Sequence, residues 1–332
     1  MSKKKIDFDN LLPAYNTTTV PDRSIYPRLV VAQALKARLF MYRKDYVNAE
    51  LFANTVITKS GITPVALNGL TALFHATSAP IGNEVIFKLR RTPQNNGQGS
   101  NLHNGWVSVA NRRNGSPFYE VSRSLFNFLN PTNAQNAAGA NDARAFLVTR
   151  PAALTTGSLI NPNWATDTDV LGGDVLVTFK HGGAGAATAA NAFNPDFTQI
   201  RLSEMHLIIA EARAYALDFP AAANSLKFIT DRRLAVVTPA LVFTSRQAAI
   251  RAILDERRKE FCFEGHRFVD LKRLYVDAGI TAFDRHTVDY VGLGYPGGNP
   301  ANFVFTNNPK WALPIPQTEI NANPNCVQNP GY

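Results

Sequence analysis

The sequence has little of what usually identifies a compartment or a function. It contains only two cysteines, Cys262 and Cys326, among 332 residues. Their wide separation excludes a redox Cys-x-x-Cys motif and a zinc pair, and it leaves open either a disulfide or two buried thiols. No apolar run approaches the ~20 residues of a membrane-spanning helix, and the amino terminus lacks the apolar stretch of a secretory signal. We therefore expect a cytoplasmic chain or a trimmed form of a longer one, and DFDNLLPAYN, typical of the end of a helix, favours trimming.

Motifs of the common catalytic classes are also missing from the sequence. It has no Gly-x-Ser-x-Gly nucleophile elbow, no Walker loop and no His-Glu-x-x-His metal motif. The glycine-rich HGGAGAA at 181–187 lacks the Lys-Ser/Thr pair that a phosphate cradle requires. The histidines show no ligand spacing: His75, His103, His181, His206, His266 and His286. We therefore predict that the protein is not an enzyme and uses neither a cofactor nor a catalytic metal.

The net charge of +9 raises the question of nucleic-acid binding. The excess of Lys and Arg is spread thinly along the chain, apart from Lys3, Lys4 and Lys5 at the amino terminus. A phosphate-binding surface would gather its cations into a stripe or patch. We therefore expect no nucleic-acid partner. Apolar residues at 45% and charged residues at 18% indicate a globular chain with a sizeable core.

Two segments share the pattern of an antiparallel helical hairpin. Residues 25–43 are rich in Ala, Val and Leu, residues 45–59 follow after a tight turn, and Gly61 ends the pair. The same pattern returns at 201–233. An aromatic residue followed three positions later by Ala, just after the turn, is typical of a tetratricopeptide repeat, which we favour over an unrelated hairpin. With Asp45 aligned to Asp218, the matching positions are Ala37 with Ala210, Tyr46 with Phe219, Ala49 with Ala222 and Val56 with Ile229.

The region between the hairpins has a different composition. Residues 84–89 (EVIFKL) alternate in polarity and predict a short strand, and residues 174–180 are a second strand candidate. Residues 122–129 predict a short helix. Segments rich in Asn and Gly at 94–115 and in Gly and Ala at 181–194 predict long loops. Irregular loops on a helical scaffold often carry binding residues.

The predicted fold is a single, mainly α-helical domain of tetratricopeptide-like hairpins, with a loop-rich insert and a few short strands. The hairpin at 25–60 is followed by the insert at 61–200, which is the candidate ligand surface. Helical hairpins at 201–275 include predicted helices at 245–264 and 266–275, separated by Gly265, with Ser245 as an N-cap. Residues 276–332 form the closing segment, where we expect little regular structure.

The densest cluster of charge lies at 253–273. Glu256, Glu260 and Glu264 recur one helical turn apart, a spacing of about 5–6 Å that resembles the carboxylate pair of a retaining glycosidase. That chemistry requires one protonated carboxyl, and the neighbouring cations lower the carboxyl pKa instead. We therefore interpret the segment as a structural ion-pair network that fixes the angle between two helices at Gly265. The residues predicted to pack inward are Ile253, Leu254, Phe261, Phe263 and Leu271.

A carbohydrate site needs aromatic faces for stacking, and amide or guanidinium groups for the sugar hydroxyls. Trp106 and Trp164 lie in polar contexts rich in Gly, Asn and Pro, although each could instead fill a hole beneath a loop. Trp311, in KWALPIP, is predicted to be structural. The predicted ligand-binding residues are Trp106, Trp164, Tyr119, Asn101, Asn104 and Arg112.

Three ordered blocks resemble the hallmark blocks of the SusD/RagB family. They are RLSEMHLIIAEA at 201–212, ILDERRKEFCFEGHRFVDLKRL at 253–274 and WALPIPQTEINANPNCVQNPGY at 311–332. The resemblance extends over residues 7–332 and implies a SusD-like fold. It also implies a surface-exposed outer-membrane lipoprotein that binds a nutrient, in the first place an oligosaccharide, for delivery to a TonB-dependent, SusC-like transporter.

The chain also departs from the pattern of that family. The family's signal peptide, lipidated cysteine and substantial amino-terminal helical section are missing from this chain. His206 stands where the family favours an aromatic residue, and Phe268 and Val269 replace a more aromatic pair.

Two other functions remain as alternatives. One is a tetratricopeptide-like protein-interaction scaffold without a small ligand, which burial of Trp106 and Trp164 would favour. The other is a glycoside hydrolase, which would require two carboxylates that face a cleft from separate elements.

Overall fold

The computed structural model describes residues 23–75, 84–90, 121–129, 142–149, 177–178, 180, 196–285, 304–305, 308 and 311–332. Within these ranges helices predominate, and two small antiparallel sheets accompany them. The predicted mainly α-helical, tetratricopeptide-like fold with a few short strands is confirmed. None of the helices in these ranges combines the length and the apolar character that crossing a bilayer requires.

Two helical hairpins form the frame of the fold. The first contains α1 (Leu29–Tyr42) and α2 (Tyr46–Ser60), and the second contains α5 (Leu202–Tyr215) and α6 (Phe219–Thr230). The prediction that the first helix begins at residue 25 is wrong, because Pro27 disfavours helical geometry at the residue before it. A separate 3₁₀-helical turn, Arg23–Ile25, precedes α1.

The two hairpins turn in the same way. Asp45 and Asp218 cap α2 and α6, and each carboxylate accepts the backbone N–H three residues on at 3.2 Å. The residues before them, Lys44 and Leu217, both adopt the left-handed conformation, with φ of 59° and 61°. The predicted alignment of Asp45 with Asp218 therefore holds at the level of backbone geometry.

The aligned small residues lie where the helices of each hairpin touch. Ala37 and Ala49 are fully buried in the first hairpin, and Ala210 and Ala222 are fully buried in the second. Their methyl groups leave room for close approach of the helix backbones. Helix α2 packs against α1 of its own hairpin and against α5 of the other, so the two hairpins stack side by side.

The remaining helices surround this stack. They are α3 (Leu70–His75), α4 (Arg123–Leu129), α7 (Arg246–Glu260), α8 (Arg267–Leu274) and α9 (Gln317–Ala322). Ser245 caps α7 as predicted, since its hydroxyl accepts the N–H of Ala248 at 3.1 Å. The prediction that this helix reaches Glu264 is wrong: it ends at Glu260, and the turn that follows contains Phe263 and Gly265 at positive φ.

The strands lie at the edges of the loop-rich region. β1 (Val85–Leu89) pairs antiparallel with β4 (Phe197–Arg201), and β2 (Val148–Thr149) pairs with β3 (Val177–Thr178). β1 and β3 fall within the two predicted strand segments. β4 was not predicted, because its short sequence FTQIR runs directly into α5 and shows no alternation that distinguishes it from the start of the helix.

Three buried apolar clusters support these elements. One lies between α1, α2 and α5, a second between α5, α6, α7 and α8, and the third joins α3, α4 and Val85. Cys262 is buried in the third cluster, and Cys326 is half-buried in the closing segment. Both thiols are free, so the question of a disulfide is answered in favour of two separate cysteines.

Replacement of Leu217 by glycine should stabilise the second hairpin. A left-handed conformation costs an L-residue about 1–2 kcal/mol, and glycine adopts it without that cost. After the entropy that glycine loses on folding, we expect Leu217→Gly to raise the free energy of unfolding by about 0.5–1 kcal/mol in urea titrations. Ala216→Gly is the matched control, because Ala216 has φ of −74° and should lose stability. Equal losses in both variants would contradict the strain at Leu217.

Candidate functional site

The predicted ligand-binding residues lie outside the residues that the structure describes: Trp106, Trp164, Tyr119, Asn101, Asn104 and Arg112. The structure does describe the elements between which these residues occur in the chain. Trp106 lies between β1 and α4, and Trp164 lies between β2 and β3. The geometry at these boundaries therefore determines how the loops that carry the predicted site are held.

Each described boundary of the insert contributes a fully buried charged side chain. Glu84 immediately precedes β1, Lys180 follows β3, and Arg201 ends β4. Arg144 lies in the 3₁₀-helical turn Ala143–Leu147 that leads into β2. Arg144, Lys180 and Arg201 contact the carboxyl end of α7 or the turn after it, and Glu84 joins them through Arg201. Charged groups are buried at this depth only where opposite charges and hydrogen bonds compensate the loss of water.

Glu260, the last residue of α7, lies at the centre of these contacts. Its Oε1 accepts from Arg201 Nη1 at 2.6 Å and from Arg233 Nη2 at 2.9 Å. Its Oε2 accepts from Arg144 Nη1 at 3.0 Å and from Arg233 Nε at 3.0 Å. Three guanidinium groups therefore surround one carboxylate, and they come from three separate parts of the chain.

Glu84 is a second carboxylate shared by two of these guanidinium groups. It accepts from Arg201 Nη1, and its Oε2 accepts from Arg233 Nη2 at 2.8 Å. The same oxygen also accepts the backbone N–H of Val65 at 3.0 Å, while Arg233 Nη1 donates to the Val65 carbonyl at 2.6 Å. The segment between α2 and β1 is thereby attached to the same cluster.

Lys180 and Arg201 cap the carboxyl end of α7. Lys180 Nζ donates to the carbonyl oxygens of Glu260 and Cys262, each at 2.9 Å, and to Glu264 Oε1 at 2.5 Å. Arg201 Nη2 donates to the Glu260 carbonyl at 2.8 Å and to Glu264 Oε1 at 2.7 Å. The last carbonyls of a helix have no partner within it, and cations are favourable at that end of the helix dipole.

Arg144 completes the cluster on the far side of Glu260. Its Nη1 also donates to Glu256 Oε1 at 2.6 Å, and its Nε and Nη2 bind the two oxygens of Asp142 at 2.9 and 2.8 Å. We refer to the whole set as the buried ion network, which consists of Glu84, Asp142, Arg144, Lys180, Arg201, Arg233, Glu256, Glu260 and Glu264.

The electrostatics of the buried ion network are those of a structural cluster. Burial by itself raises the pKa of a carboxyl, but the three guanidinium groups outweigh it and hold the pKa of Glu260 well below its usual range. The same competition, with Arg201 and Lys180 as the cations, lowers the pKa of Glu264 to about 2. Carboxyls that stay ionised cannot supply the proton of a glycosidase general acid. The interpretation of residues 253–273 as a structural network is confirmed for these two groups.

A second set of ion pairs joins α7 and α8 across the break at Gly265. Arg257 Nε donates to Asp270 Oδ2 at 2.7 Å, and Asp270 Oδ1 accepts from Arg273 Nη2 at 3.0 Å. Arg273 continues to Glu211 of α5, at 2.7 Å between Nη2 and Oε2. Arg257 and Asp270 therefore connect the two helices across the break, as the interpretation of the segment as a structural network expects. Ile253, Leu254, Phe261 and Leu271 are buried as predicted, and Phe263 is half-buried against a different cluster.

His206 takes the place of an aromatic residue in the second hairpin. Its ring stacks on Phe228 with a centroid distance of 4.1 Å, and Arg232 lies 3.7 Å from the centroid of the same phenyl ring. Burial, followed by the charge of Arg232, lowers the pKa of His206 to about 4. The imidazole is neutral at neutral pH, so its contribution to stability is complete above pH 6.5 and is lost as the pH falls towards 4.

Trp311 lies in an aromatic cluster of the closing segment, and His266 is buried beside Phe261. Trp311 packs 4.8 Å from Phe305 between ring centroids, and its indole N–H donates to the Phe305 carbonyl at 3.2 Å, which confirms the structural interpretation. Burial lowers the pKa of His266. Among the residues that the structure describes, no group of three His, Cys, Asp or Glu side chains could hold a metal ion.

The sequence identified the α7 side of the buried ion network but missed the residues that the insert contributes. Glu84, Arg144, Lys180 and Arg201 are single charges at the ends of short elements, and nothing in their local sequence indicates burial. The one available signal was position, because Glu84, Lys180 and Arg201 each lie at an end of a strand or a strand candidate.

Glu260→Gln should destabilise the protein strongly. The amide keeps the shape of the side chain, but it removes the charge that three guanidinium groups share and turns an NH₂ group towards them. Breaking a buried ion pair typically costs about 3–5 kcal/mol, and we expect a loss of that size in urea unfolding. Asp255→Asn is the matched control on the same helix, because the exposed Arg251–Asp255 pair should contribute less than ~1 kcal/mol. Similar losses in both variants would refute the central position of Glu260.

The sequence and the fold of this chain were compared with those of known proteins. Residues 172–332 match the model of the SusD family. No curated protein sequence matches the chain. A SusD superfamily protein from Bacteroides thetaiotaomicron is similar at 25% identity and a TM-score of 0.66, with 93% of this chain and 62% of that chain covered.

Two further solved structures share the fold at lower sequence identity. For a SusD superfamily protein from Bacteroides fragilis, the identity is 18%, the coverage is 93% of this chain and 66% of that chain, and the TM-score is 0.65. A SusD-like carbohydrate-binding protein from Bacteroides vulgatus is 20% identical, with a TM-score of 0.53, and the match covers 78% of this chain and 48% of that chain. The chain thus spans less than two thirds of the length of these relatives.

Proposed function

We propose that the chain, whose residues 172–332 match the model of the SusD family and whose fold is that of SusD superfamily structures, binds a nutrient, an oligosaccharide, without cleaving it. The proposed ligand surface is the insert at 61–200 within one SusD-like domain. We further propose that the protein acts at the outer-membrane surface as part of a lipoprotein and delivers its ligand to a TonB-dependent, SusC-like transporter. Neither a cofactor nor nucleic acid has a role in this proposal.

The family match carries the proposal, and the buried ion network gives it a physical basis. A loop whose ends are fixed by buried, multiply bonded charges has less conformational freedom to lose on ligand binding than a loop with free ends. Glu84, Arg144 and Lys180 supply such fixed points within the insert, and Arg201 supplies one directly after it. The fold of the SusD-like carbohydrate-binding protein from Bacteroides vulgatus is consistent with this use of the scaffold.

The proposed binding mechanism is stacking combined with hydrogen bonding. Trp106 and Trp164 offer flat apolar faces for sugar rings. The hydroxyls of the sugar would bind the polar groups of Asn101, Asn104, Arg112 and Tyr119. A site of this kind needs only modest affinity, because the ligand must leave it for the transporter.

Non-catalytic binding is supported by the ionised state of the charge-dense segment. Glu260 and Glu264 are held as carboxylates by buried cations, and their oxygens are occupied by those cations. The alternative of a glycoside hydrolase would need a different carboxyl pair, facing a cleft from separate elements.

A protein-interaction scaffold is the second candidate function. The outer faces of α1 and α2 expose the apolar side chains of Leu35, Leu39, Val47 and Leu51. Stacked hairpins with such a face can bind an amphipathic helix of another protein. This candidate predicts protein binding that does not require any glycan.

Trp106→Ala and Trp164→Ala should each weaken oligosaccharide binding by about tenfold, which corresponds to about 1.4 kcal/mol of lost stacking. A glycan-array screen identifies the ligand, and calorimetry then measures each variant. Trp311→Phe is the matched tryptophan control, since it keeps an aromatic ring in the structural cluster and should leave binding unchanged. If neither substitution weakens the binding seen for the wild type, the proposed site is wrong. If stability falls in parallel with binding, the tryptophans fill holes beneath loops.

A further inference from the structure

The segment between α6 and α7 presents an uncharged apolar tip to solvent. Residues 235–244 read AVVTPALVFT, and we refer to them as the 235–244 loop. Val236, Val237, Leu241 and Val242 are 66%, 59%, 54% and 89% exposed. Single exposed apolar residues are ordinary on protein surfaces, but four of them within seven positions, with no charge between them, form a patch.

The 235–244 loop is held in this position by the folded frame around it. Arg233, just before the loop, belongs to the buried ion network, and Ser245, just after it, caps α7. Within the loop, the Thr238 carbonyl accepts from Lys227 Nζ at 2.8 Å, and Phe243 packs against the core between α5, α6, α7 and α8. The loop therefore cannot turn its aliphatic side chains inward without breaking these contacts.

Positive charge lies at both ends of the loop. Arg232 precedes it and stacks 3.7 Å from the centroid of Phe228, and Arg246 follows it and lies 5.4 Å from the centroid of Tyr215. The two nearby ion pairs, Lys227–Asp231 and Arg251–Asp255, are neutral overall. Across these six charged residues the net charge is +2, since there are four cations and two carboxylates.

We propose that the 235–244 loop inserts its aliphatic side chains into a lipid surface that carries anionic head groups. Transfer of exposed Val and Leu side chains from water into the acyl boundary is favourable by ~25 cal/mol per Å². Cations at the base of such a loop are attracted to anionic head groups at the same depth. Of the residue types enriched at the centres of protein–protein interfaces, which are Trp, Tyr, Phe, Met and Arg, the loop contains only Phe243, and that ring packs against the core.

This contact is a peripheral one that orients the protein on the membrane. Four aliphatic side chains and two cations give a weak, reversible interaction that is measurable at an excess of lipid, and a further attachment that keeps the protein near the bilayer would strengthen it. The loop lies on the α6–α7 side of the second hairpin, so insertion would fix which face of the helical stack points away from the lipid.

Vesicle sedimentation of the 332-residue chain tests the proposal. We expect binding to vesicles of phosphatidylcholine mixed with phosphatidylglycerol, and weaker binding to phosphatidylcholine alone or at high salt. The double substitution Val236→Asp with Val242→Asp should lower the partition into mixed vesicles at least tenfold. Val327→Asp is the matched control, because Val327 is 82% exposed in the closing segment and lies outside both the loop and the apolar face of α1 and α2, and it should bind as the wild type does.

Three results would overturn the proposal. The first is the absence of binding to either vesicle, and the second is equal binding of the double variant and the wild type. The third is self-association of the wild type. If the wild type has a larger molecular mass in solution than the double variant, the 235–244 loop is a contact between protein chains. Because Val236 and Val242 are exposed, urea unfolding of the double variant should match that of the wild type and exclude misfolding as a cause.

Discussion

The carboxylate of Glu260, enclosed by the guanidinium groups of Arg144, Arg201 and Arg233, is the interaction on which the rest of the structure depends. Removing four charged side chains from water would be prohibitive one at a time, so each is tolerated only while the others are in place. Arg201 lies 117 residues from Glu84, and Glu260 lies 116 residues from Arg144 along the chain. Segments that are distant in the chain must therefore fold together, because the buried charge of each one is stabilised only by the charges of the others.

This dependence explains how a helical scaffold can carry long loops. The hairpins bury two apolar clusters, one between α1, α2 and α5 and one between α5, α6, α7 and α8, and the insert adds Ile86 and Ile200 to the first and forms most of a third. The buried charges add specific attachment points to these apolar contacts. Lys180 and Arg201 attach the edges of the insert to the end of α7 and cap that end, and Glu84 is attached to the same end through Arg201 and Arg233. The proposed ligand surface would therefore rest on electrostatic attachment points, while the helical stack sets their separation.

Features encoded by neighbouring residues could be predicted from the sequence. The turn at Asp45 and Asp218, the N-cap at Ser245 and the break at Gly265 all depend on contacts within a few positions. The charge-dense segment was correctly interpreted as structural because cation excess and helical spacing are also local. In contrast, β4 and the buried role of Arg144 depend on partners more than a hundred residues away, and a single sequence carries no record of that pairing. The six predicted ligand-binding residues stay predictions, since they lie outside the described residues.

Native-state hydrogen exchange at increasing urea concentrations tests most directly whether the network couples the insert to the scaffold. If it does, the amides of β1, of β4 and of the last turn of α7 open together, with one free energy and one dependence on urea. Exchange of β1 and β4 at a clearly lower free energy, while α7 remains protected, would contradict the account, because the sheet would then be an independent flap on a helical protein.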